Sequence, residues 1–370
     1  MKINVTDEQY MKLALDLANK GVGFVAPNPM VGAVIVKEGE VIGQGYHEKY
    51  GEFHAERNAL ANCTKSPSGA TMYVTLEPCC HHGKTPPCTD AIMESGIAKV
   101  VIGSKDPNKL VAGQGIAKLR ESGIEVTTGI LQSECDELNE VFFHYIKTKT
   151  PYVIMKYAMT MDGKIATTTG KSKWITGEAA RYRVHEDRHR YTAIMVGIGT
   201  VNEDDPLLNC RIENKKDPIR IICDTNLRLK LDSQTVNTAN EIPTIVATAC
   251  SNETKLKPYI EKGLKIITVA KKGDHIDLNE LMIKLGEEKI DSILLEGGGS
   301  LNWSALQSGI VNKVQTYIAP KIFGGANAKT PVSGVGVDDP ANAFLLETKS
   351  ITMLGQDILI ESEVVGCSLE

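Results

Sequence analysis

Four residues in the first quarter of the chain form a pattern that restricts how this part can fold. His54 stands two residues before Glu56, and two thiols, Cys79 and Cys88, follow in a later segment. One imidazole and two thiolates are typical of a zinc site whose fourth position stays open for water. Zinc lowers the pKa of that water to roughly 7, and a neighbouring carboxylate that is not a ligand can move its protons. The pattern therefore predicts that His54, Cys79 and Cys88 bind zinc and that Glu56 carries protons, as in hydrolytic deaminases.

The spacing of the two cysteines leaves alternatives open. The general deaminase signature has two residues between its cysteines, whereas eight separate Cys79 from Cys88 here. An insertion loop accounts for this difference, because Cys88 opens a helical segment that Gly96 would end. The alternative is a closed structural zinc site, with Cys80, His81 or His82 as a fourth ligand that expels the water. A structural site gives no reason for Glu56 to stand beside His54.

The composition of the whole chain indicates a globular protein. Its 370 residues favour two domains, and 42% hydrophobic and 24% charged residues are ordinary values for a folded protein. The net charge of −5 argues against a broad surface for nucleic acid. No apolar run is long enough to span a membrane. The nine cysteines are an odd number at irregular spacings, so we expect reduced thiols in a cytoplasmic protein.

Strands and helices alternate along the first part, which predicts a sheet with helices on both faces. Thr6 and Gln9 form a capping box before the first helix. The predicted elements that follow are strands 31–36, 41–45, 71–76, 99–103 and 124–128, and helices 54–62, 88–95, 114–121 and 133–146. A short linker is expected at 147–151.

The second part is richer in strands and is expected to end in a hairpin around residues 355–357. Its predicted elements are strands 152–158, 193–197, 219–223, 244–248, 265–270, 292–296 and 314–318, and helices 178–190, 277–286 and 301–307. Residues 200–206 are expected to form a polar turn.

A strand that runs into three glycines, Gly297 to Gly299, is a second candidate site. Glycines let backbone amides approach a phosphate, although a plain tight turn is the better explanation of these glycines taken alone. Arg181, His185 and Arg188 follow one face of a helix, either as a solvated face or as a phosphate clamp near Arg211. Lys156 lies within an apolar strand, as a residue that reaches solvent at the sheet edge or as a functional amine.

Taken together, these motifs resemble the bifunctional deaminase–reductase family of riboflavin biosynthesis, over nearly the whole chain. The matching segments are 27–32 (PNPMVG), 54–56 (HAE), 77–79 (EPC), 83–88 (GKTPPC), 106–108 (DPN), 161–164 (MDGK), 172–176 (SKWIT), 199–201 (GTV), 204–208 (DDPLL) and 295–299 (LEGGG). The eight-residue gap between the cysteines is normal for this family. The resemblance implies an α/β protein with a cytidine-deaminase-like α/β/α domain at 1–147 and a dihydrofolate-reductase-like α/β domain at 151–370.

The resemblance also implies two reactions on small pyrimidine ribose phosphates. The first domain would remove the 2-amino group of 2,5-diamino-6-ribosylamino-4(3H)-pyrimidinone 5′-phosphate with zinc. The second would reduce the ribosyl chain of 5-amino-6-(5-phosphoribosylamino)uracil to ribityl with NADPH. Substrate residues implied in the first domain are Asn28, His47, Lys84, Asp106 and Asn108.

In the second domain the family match implies substrate and cofactor positions. The substrate residues are Ser172, Arg188, Leu208, Arg211 and Glu296. The cofactor residues are Ala158, Trp174, Thr200, Asp204, Thr225, Gly298, Gly299, Ser300, Leu301, Asn302, Trp303 and Ser304. Lys156 and Glu296 are the candidates for polarising or protonating the sugar oxygen.

Two other functions compete with this interpretation. One is a zinc deaminase for RNA bases with an RNA-binding second half, although only 5% of the residues are aromatic and such modules stack bases on aromatic side chains. The other is a non-enzymatic scaffold with structural zinc. We expect small-molecule substrates, no binding to nucleic acid or membrane, and self-association as a homo-oligomer.

Overall fold

The structure is a computed structural model that describes residues 6–81, 86–108 and 111–367. The chain divides into two compact units, Met1–Lys149 and Thr150–Glu370. Each unit has its own sheet and its own hydrophobic core.

The first unit contains a five-stranded sheet with the strand order β2-β1-β3-β4-β5. Strand β1 is antiparallel to β2 and β3, whereas β3, β4 and β5 are parallel. In chain order, the elements are α1 (Asp7–Ala18), β1 (Gly32–Lys37), β2 (Glu40–Tyr46), α2 (Ala55–Ala61), β3 (Thr71–Leu76), α3 (Cys88–Glu94), β4 (Lys99–Ser104), α4 (Gln114–Glu121), β5 (Glu125–Thr128), α5 (Gln132–Leu138) and α6 (Glu140–Thr148).

Helices cover both faces of this sheet, which confirms the predicted layering. Alternate residues of β1 point to opposite faces: Ala33 and Ile35 enter one apolar cluster, while Val34 and Val36 enter a second cluster with α1. The predicted capping box is present, since Thr6 accepts a hydrogen bond from the Gln9 amide and the Gln9 side chain accepts one from Thr6.

The single helix predicted over 133–146 was wrong, because Asn139 divides it into α5 and α6. Asn139 leaves the helical conformation at φ −110°. Its side chain accepts a hydrogen bond from the Met30 amide at 2.8 Å and donates one to the Met30 carbonyl at 3.0 Å. Asn139 thereby ties this helical region to the segment before β1.

The second unit contains a nine-stranded sheet with the strand order β10-β9-β8-β7-β13-β6-β14-β16-β15. The seven strands from β10 to β14 in this order are parallel, and β16 is antiparallel both to β14 and to its hairpin partner β15. The elements are β6 (Tyr152–Thr160), α7 (Glu178–Arg190), β7 (Ala193–Gly197), α8 (Ile198–Asp204), β8 (Ile219–Cys223), α9 (Gln234–Asn237), β9 (Thr244–Thr248), α10 (Glu253–Glu261), β10 (Lys265–Thr268), β11 (Lys271–Lys272), β12 (His275–Ile276), α11 (Leu278–Glu287), β13 (Ser292–Leu295), α12 (Gly299–Gln307), β14 (Val311–Ala319), β15 (Phe344–Leu354) and β16 (Asp357–Cys367).

Three helices of this unit, α8, α9 and α10, differ from the prediction, which lacked the four-residue α9. The polar turn expected at 200–206 was wrong, because α8 covers most of it and ends at Asp204, directly before Asp205 with a φ of 39°. Helix α10 was missed because Pro258 lies inside it, and proline is a strong signal against a helix interior. The expected C-terminal hairpin is present and longer, with eleven residues in each strand. Within the described residues, no helix has the length and hydropathy needed to cross a membrane.

Two glycines of β2 allow helix α2 to pack directly on the sheet. A Cβ atom added at Gly45 would lie 2.3 Å from the Ala59 amide nitrogen and 2.7 Å from the Ala55 carbonyl oxygen. At Gly43 it would lie 2.5 Å from the Ala59 carbonyl oxygen. Because α2 carries Glu56 and begins after His54, this close approach positions part of the candidate zinc site.

We therefore expect Gly45→Ala to destabilise the first unit by about 1–3 kcal/mol, the usual cost of overpacking. The measurement is urea denaturation followed by circular dichroism. Gln44→Ala is the control, since the exposed Gln44 side chain lies on the other side of β2 and should change stability by less than about 0.5 kcal/mol. Equal unfolding midpoints for Gly45→Ala and the original chain would contradict the proposed close packing.

Candidate active sites

The three predicted zinc ligands meet at one edge of the first sheet. His54 is the N-cap residue of α2, Cys88 is the first residue of α3, and Cys79 follows the end of β3. Their ligand atoms all lie within 4.8 Å of one another. Residues that are far apart in the sequence thus form one compact group of a nitrogen and two sulfurs.

The distances within this group fit a tetrahedral zinc ion. His54 Nδ1 lies 3.6 Å from Cys79 Sγ and 3.4 Å from Cys88 Sγ. With Zn–N near 2.0 Å and Zn–S near 2.3 Å, tetrahedral geometry separates the nitrogen from each sulfur by roughly 3.6 Å. The donor set and its spacing therefore fit zinc.

Glu56 lies beside the three ligands and is 3% exposed. Its Oε2 atom is buried and has no hydrogen-bond partner among the described residues. Burial raises the pKa of Glu56, although the charge of His54 opposes the shift. A carboxylate that protonates easily and has an unoccupied oxygen is suited to accept and release a proton.

The environment of the thiols favours metal binding by Cys79. Hydrogen bonds from Cys88 and His54 lower the pKa of Cys79 despite its burial, and a thiolate is the form that binds metal. Cys80 and His81 are outside the cluster of possible metal ligands in the described residues, and His82 lies outside those residues. The described part of the site offers three ligands, the number found in catalytic zinc sites.

A cavity of about 340 Å3 opens next to this cluster. Four of the five substrate residues predicted for this unit line it, namely Asn28, His47, Asp106 and Asn108. Lys84 lies outside the described residues. The sequence did not indicate the contribution of α6, which places the aromatic rings of Phe142 and Tyr145 in the lining.

His47 is oriented so that it holds the Asn28 side chain. The Phe53 carbonyl can only accept a hydrogen bond, so His47 Nδ1, 3.0 Å away, donates to it. His47 Nε2 is then the acceptor for the Asn28 amide group at 3.1 Å. Burial lowers the pKa of His47, which favours this neutral form and leaves the Asn28 amide oxygen available to a ligand.

Glu77 is a buried residue of this site that sequence reasoning did not single out. Its carboxylate accepts hydrogen bonds from the amides of Asp106, Gly113 and Ile116 at 3.4, 3.0 and 3.2 Å. Glu77 thereby connects the end of β3 to the loop after β4 and to helix α4. Burial raises the pKa of the neighbouring Asp106 to about 6, against the hydrogen bond from Asn108. The one sequence feature that could have identified Glu77 is its position two residues before the zinc-ligand candidate Cys79.

In the second unit, Lys156, Arg188 and Glu296 form a buried ionic cluster. Arg188 donates two hydrogen bonds to the Glu296 carboxylate, at 2.8 and 3.1 Å, and a third to the Asn209 carbonyl at 3.0 Å. Lys156 Nζ lies 3.6 Å from Glu296 Oε2 and 5.6 Å from the centre of the Tyr317 ring. Each of the three charged side chains is at most 14% exposed. Lys156 is therefore a buried amine in an ion pair.

The protonation of Glu296 follows from its partners. Burial alone would raise the pKa of Glu296, but the charges of Arg188 and Lys156 outweigh it and hold the pKa at about 2. Glu296 is consequently an anion at neutral pH and has no proton to donate.

The three residues of the helical row, Arg181, His185 and Arg188, have different surroundings. Arg181 lies 4.8 Å from the ring of the exposed Trp174 and donates a hydrogen bond to the Thr176 carbonyl. Burial lowers the pKa of His185, and the charges of Arg188 and Arg211 lower it further. Ser172 precedes Trp174 in a half-buried position.

The predicted cofactor residues follow the carboxyl ends of adjacent parallel strands. Ala158 is on β6, the glycines follow β13, Thr200 and Asp204 are in α8 after β7, and Thr225 follows β8. A Cβ atom added at Gly298 would lie 3.7 Å from Thr200 Oγ1, and one at Gly199 would meet no atom within 4 Å. The backbone at Gly199, just after β7, therefore faces open space near the carboxyl ends of the strands, where ligands commonly bind in α/β sheets.

Several of the predicted residues also pack within the unit. Leu208 is buried in an apolar cluster with Val196. Within α12, Asn302 is fully buried and donates to the Pro331 carbonyl, and the Trp303 ring packs against Phe344 with 5.9 Å between centroids. Gly298, Gly299 and Ser300 lie at the strand end, while Leu301 and Ser304 belong to the following turns of α12.

Two family models match the chain. The RibD C-terminal domain matches residues 151–360, and the cytidine and deoxycytidylate deaminase zinc-binding region matches residues 4–104. The first match shows that the second half is a reductase domain, so the RNA-binding and scaffold alternatives were wrong. The matches agree with the predicted cofactors, zinc and NADPH.

Relatives and solved structures cover almost the whole chain. The riboflavin biosynthesis protein RibD of Actinobacillus pleuropneumoniae is 55% identical over 98% of this chain and 96% of its own length, and that of Aquifex aeolicus is 45% identical over 97% and 98%. The crystal structure of a diaminohydroxyphosphoribosylaminopyrimidine deaminase/5-amino-6-(5-phosphoribosylamino)uracil reductase from Thermotoga maritima has a TM-score of 0.86 and 38% identity, and covers 97% of this chain and 98% of that one. Acinetobacter baumannii RibD has a TM-score of 0.86 and 35% identity, with coverages of 97% and 99%.

These similarities confirm the fold class and the two enzyme activities predicted from the sequence. The chain belongs to the RibD family of bifunctional deaminase–reductases of riboflavin biosynthesis.

Proposed function

We propose that the first unit deaminates 2,5-diamino-6-ribosylamino-4(3H)-pyrimidinone 5′-phosphate and that the second reduces 5-amino-6-(5-phosphoribosylamino)uracil. The observation that carries this proposal is the group of His54, Cys79 and Cys88 beside the buried Glu56. The domain boundaries proposed for the two activities are 1–147 and 151–370.

His54, Cys79 and Cys88 would hold the zinc ion. When bound, zinc supplies a water molecule whose pKa is lowered to roughly 7. Glu56 Oε2 takes a proton from the attacking water and gives it to the departing amine, so that ammonia leaves. The raised pKa of Glu56 supports both steps, because a carboxyl group that is protonated more easily is a better acceptor and still returns the proton.

Substrate binding in this unit rests on the side chains that line the cavity. The amide oxygen of Asn28 accepts a hydrogen bond from the pyrimidine, and His47 holds that amide in place. Asp106 and Asn108 bind the sugar end of the substrate, with Glu77 fixing their loop. Lys84 is proposed as the cation for the substrate phosphate.

In the second unit, Lys156 and Glu296 have different roles in the reduction of the sugar. NADPH, when bound, supplies the hydride for C1′. Because Glu296 is ionised, Lys156 is the residue that donates a hydrogen bond or a proton to the sugar oxygen, and Glu296 orients the Lys156 amine. Ser172, Arg188, Leu208 and Arg211 are the other proposed substrate residues, with Leu208 acting through its backbone because its side chain is buried.

The cofactor would lie along the strand ends of this unit. The open space at Gly199 and the approach of Gly298 to Thr200 support this placement. The proposed contacts are Ala158, Trp174, Thr200, Asp204, Thr225 and the segment from Gly298 to Ser304.

Assembly and location are further parts of the proposal. We infer a homo-oligomer, because the edge strand β15 exposes Ile351 and Met353 at 67% and 61% and exposed apolar edges tend to be covered. We infer a cytoplasmic location, because a site with two zinc thiolates is stable in a reducing compartment. The net charge of −5 supports the absence of nucleic-acid binding.

The proton-transfer role of Glu56 predicts the effect of Glu56→Gln. Glutamine keeps the shape but cannot accept the proton, so ammonia release should fall at least about 100-fold. Bound zinc should be unchanged, and NADPH oxidation should continue when already deaminated substrate is supplied. Normal ammonia release by this variant would rule out Glu56 as the proton carrier, and the loss of both reactions would rule out separate sites.

The metal ligands predict different zinc contents for two cysteine variants. Cys88→Ser removes a ligand, so purified protein should contain much less than one zinc per chain by elemental analysis, after dialysis against a weak chelator. Cys80→Ser is the matched control and should retain zinc. If Cys80→Ser loses as much zinc as Cys88→Ser, Cys80 is the fourth ligand and the site is closed.

The ionic cluster predicts a pH-dependent loss of stability for Glu296→Gln. At pH 7 this variant leaves Arg188 and Lys156 buried without a counter-charge, which should cost about 3–5 kcal/mol in urea denaturation. The folded pKa of Glu296 is depressed to about 2, so its contribution is complete above about pH 4.5 and declines as the pH falls toward 2. The exposed Glu347→Gln is the control, expected within about 0.5 kcal/mol. Equal stability of Glu296→Gln and the original chain would contradict the charge balance.

A further inference from the structure

The position of the ionic cluster fixes which way a dinucleotide must extend in the second unit. Lys156 on β6 and Glu296 after β13 mark the reacting end, so the nicotinamide ring must lie beside these two strands. The neighbouring strand on the other side of β13 is β7, and the open space at Gly199 lies at its end. The remainder of the dinucleotide therefore runs past β7 toward β8.

The adenosine end then falls at the ends of β8, β9 and β10. Neighbouring strands lie about 4.8 Å apart, so the end of β8 is roughly 14 Å from that of β6. Thr225 follows β8 and is fixed there, because its carbonyl accepts hydrogen bonds from the Ala249 amide at 3.1 Å and the Thr248 hydroxyl at 3.3 Å. Residues around Thr225 are thus the ones that can contact the adenosine ribose.

Two cations border the loop that contains Thr225. Arg228 is 62% exposed, with Nε 3.9 Å from Asp224 Oδ1. Lys271, in the exposed strand β11, donates a hydrogen bond to Asn226 Oδ1 at 3.2 Å. These residues come from separate segments, and each contacts an immediate neighbour of Thr225.

Positive side chains outnumber negative ones at the surface around this loop, and its buried acidic residue, Asp224, is tied to the backbone. Asp224 is fully buried, and its Oδ2 accepts hydrogen bonds from the amides of Arg228 and Leu229 at 2.5 and 2.8 Å. The exposed charged side chains of this loop and of β11 with its following turn are four cations, Arg228, Lys230, Lys271 and Lys272, and two anions, Asp232 and Asp274. Such a surface favours a dianionic phosphate.

We propose that Arg228 and Lys271 bind the 2′-phosphate of the adenosine ribose and thereby select NADPH over NADH. This inference rests on the proposed reductase function and adds the residues that determine its cofactor specificity. Arg228 offers a planar group that can donate two hydrogen bonds to phosphate, and Lys271 adds a point charge. NADH lacks the phosphate and gains nothing from either residue.

The test compares binding of two pairs of nucleotides to the full chain by calorimetry. The pairs are NADPH with NADH, and adenosine 2′,5′-bisphosphate with adenosine 5′-monophosphate. Arg228→Met and Lys271→Met should each weaken binding of the 2′-phosphorylated member about tenfold or more, the worth of a charge-assisted hydrogen bond. Affinity for the other member should stay within about twofold. Lys349→Met, on β15 at the opposite edge of the sheet, is the control and should change neither.

The following outcomes would overturn the inference, and each of them points to a different cause. An unchanged preference in both variants would show that the phosphate lies elsewhere. An equal loss for both members of a pair, with normal thermal unfolding, would show a general effect on the loop. If the original chain bound NADPH and NADH equally, it would have no selectivity to explain. If it neither bound nor oxidised either dinucleotide, the proposed reductase function would itself fail.

Discussion

Both candidate sites depend on the burial of a carboxylate, and the groups that surround each carboxylate determine its protonation. Glu56 is buried with one oxygen that has no hydrogen-bond partner among the described residues, and its burial raises its pKa. Glu296 is also largely buried, with 13% of its side chain exposed, but Arg188 and Lys156 lower its pKa to about 2. The same side chain is therefore suited to carry a proton in one unit and to remain an anion in the other.

The loops that border each site also need hydrogen-bond partners for their backbone amides and carbonyls. Glu77 shows how this is done in the first unit, since one carboxylate accepts hydrogen bonds from three amides of a loop and a helix start. Arg220 has the corresponding role in the second unit. Its five donors contact five neutral oxygens, including the Leu207 carbonyl in the loop before Leu208. Both residues hold loops next to the proposed substrate positions.

Sequence patterns predicted most strands and helices because burial on one face imposes a regular period on the residues. The prediction also placed His54 and Cys88 at helix starts. It missed Asn139, because a polar residue within an amphipathic helix has no local signal that distinguishes a solvent-facing side chain from one bonded to Met30, 109 residues away. Helix α8 was missed for a related reason: its polar residues 202–204 resemble a turn, and its only buried residues are Ile198 and Val201. Long-range partners decide such cases, and a single sequence does not contain them.

The ionic cluster of the second unit was only partly predictable for the same reason. The sequence placed Lys156, Arg188 and Glu296 near one another by resemblance, but it could not say which of them carries the proton. That depends on distances: Arg188 forms two hydrogen bonds with Glu296, whereas Lys156 lies farther away at 3.6 Å. Arg188 is thus the main counter-ion of the carboxylate, and the Lys156 amine keeps donor capacity for a ligand. The division of roles between two residues of one cluster follows from this difference in geometry.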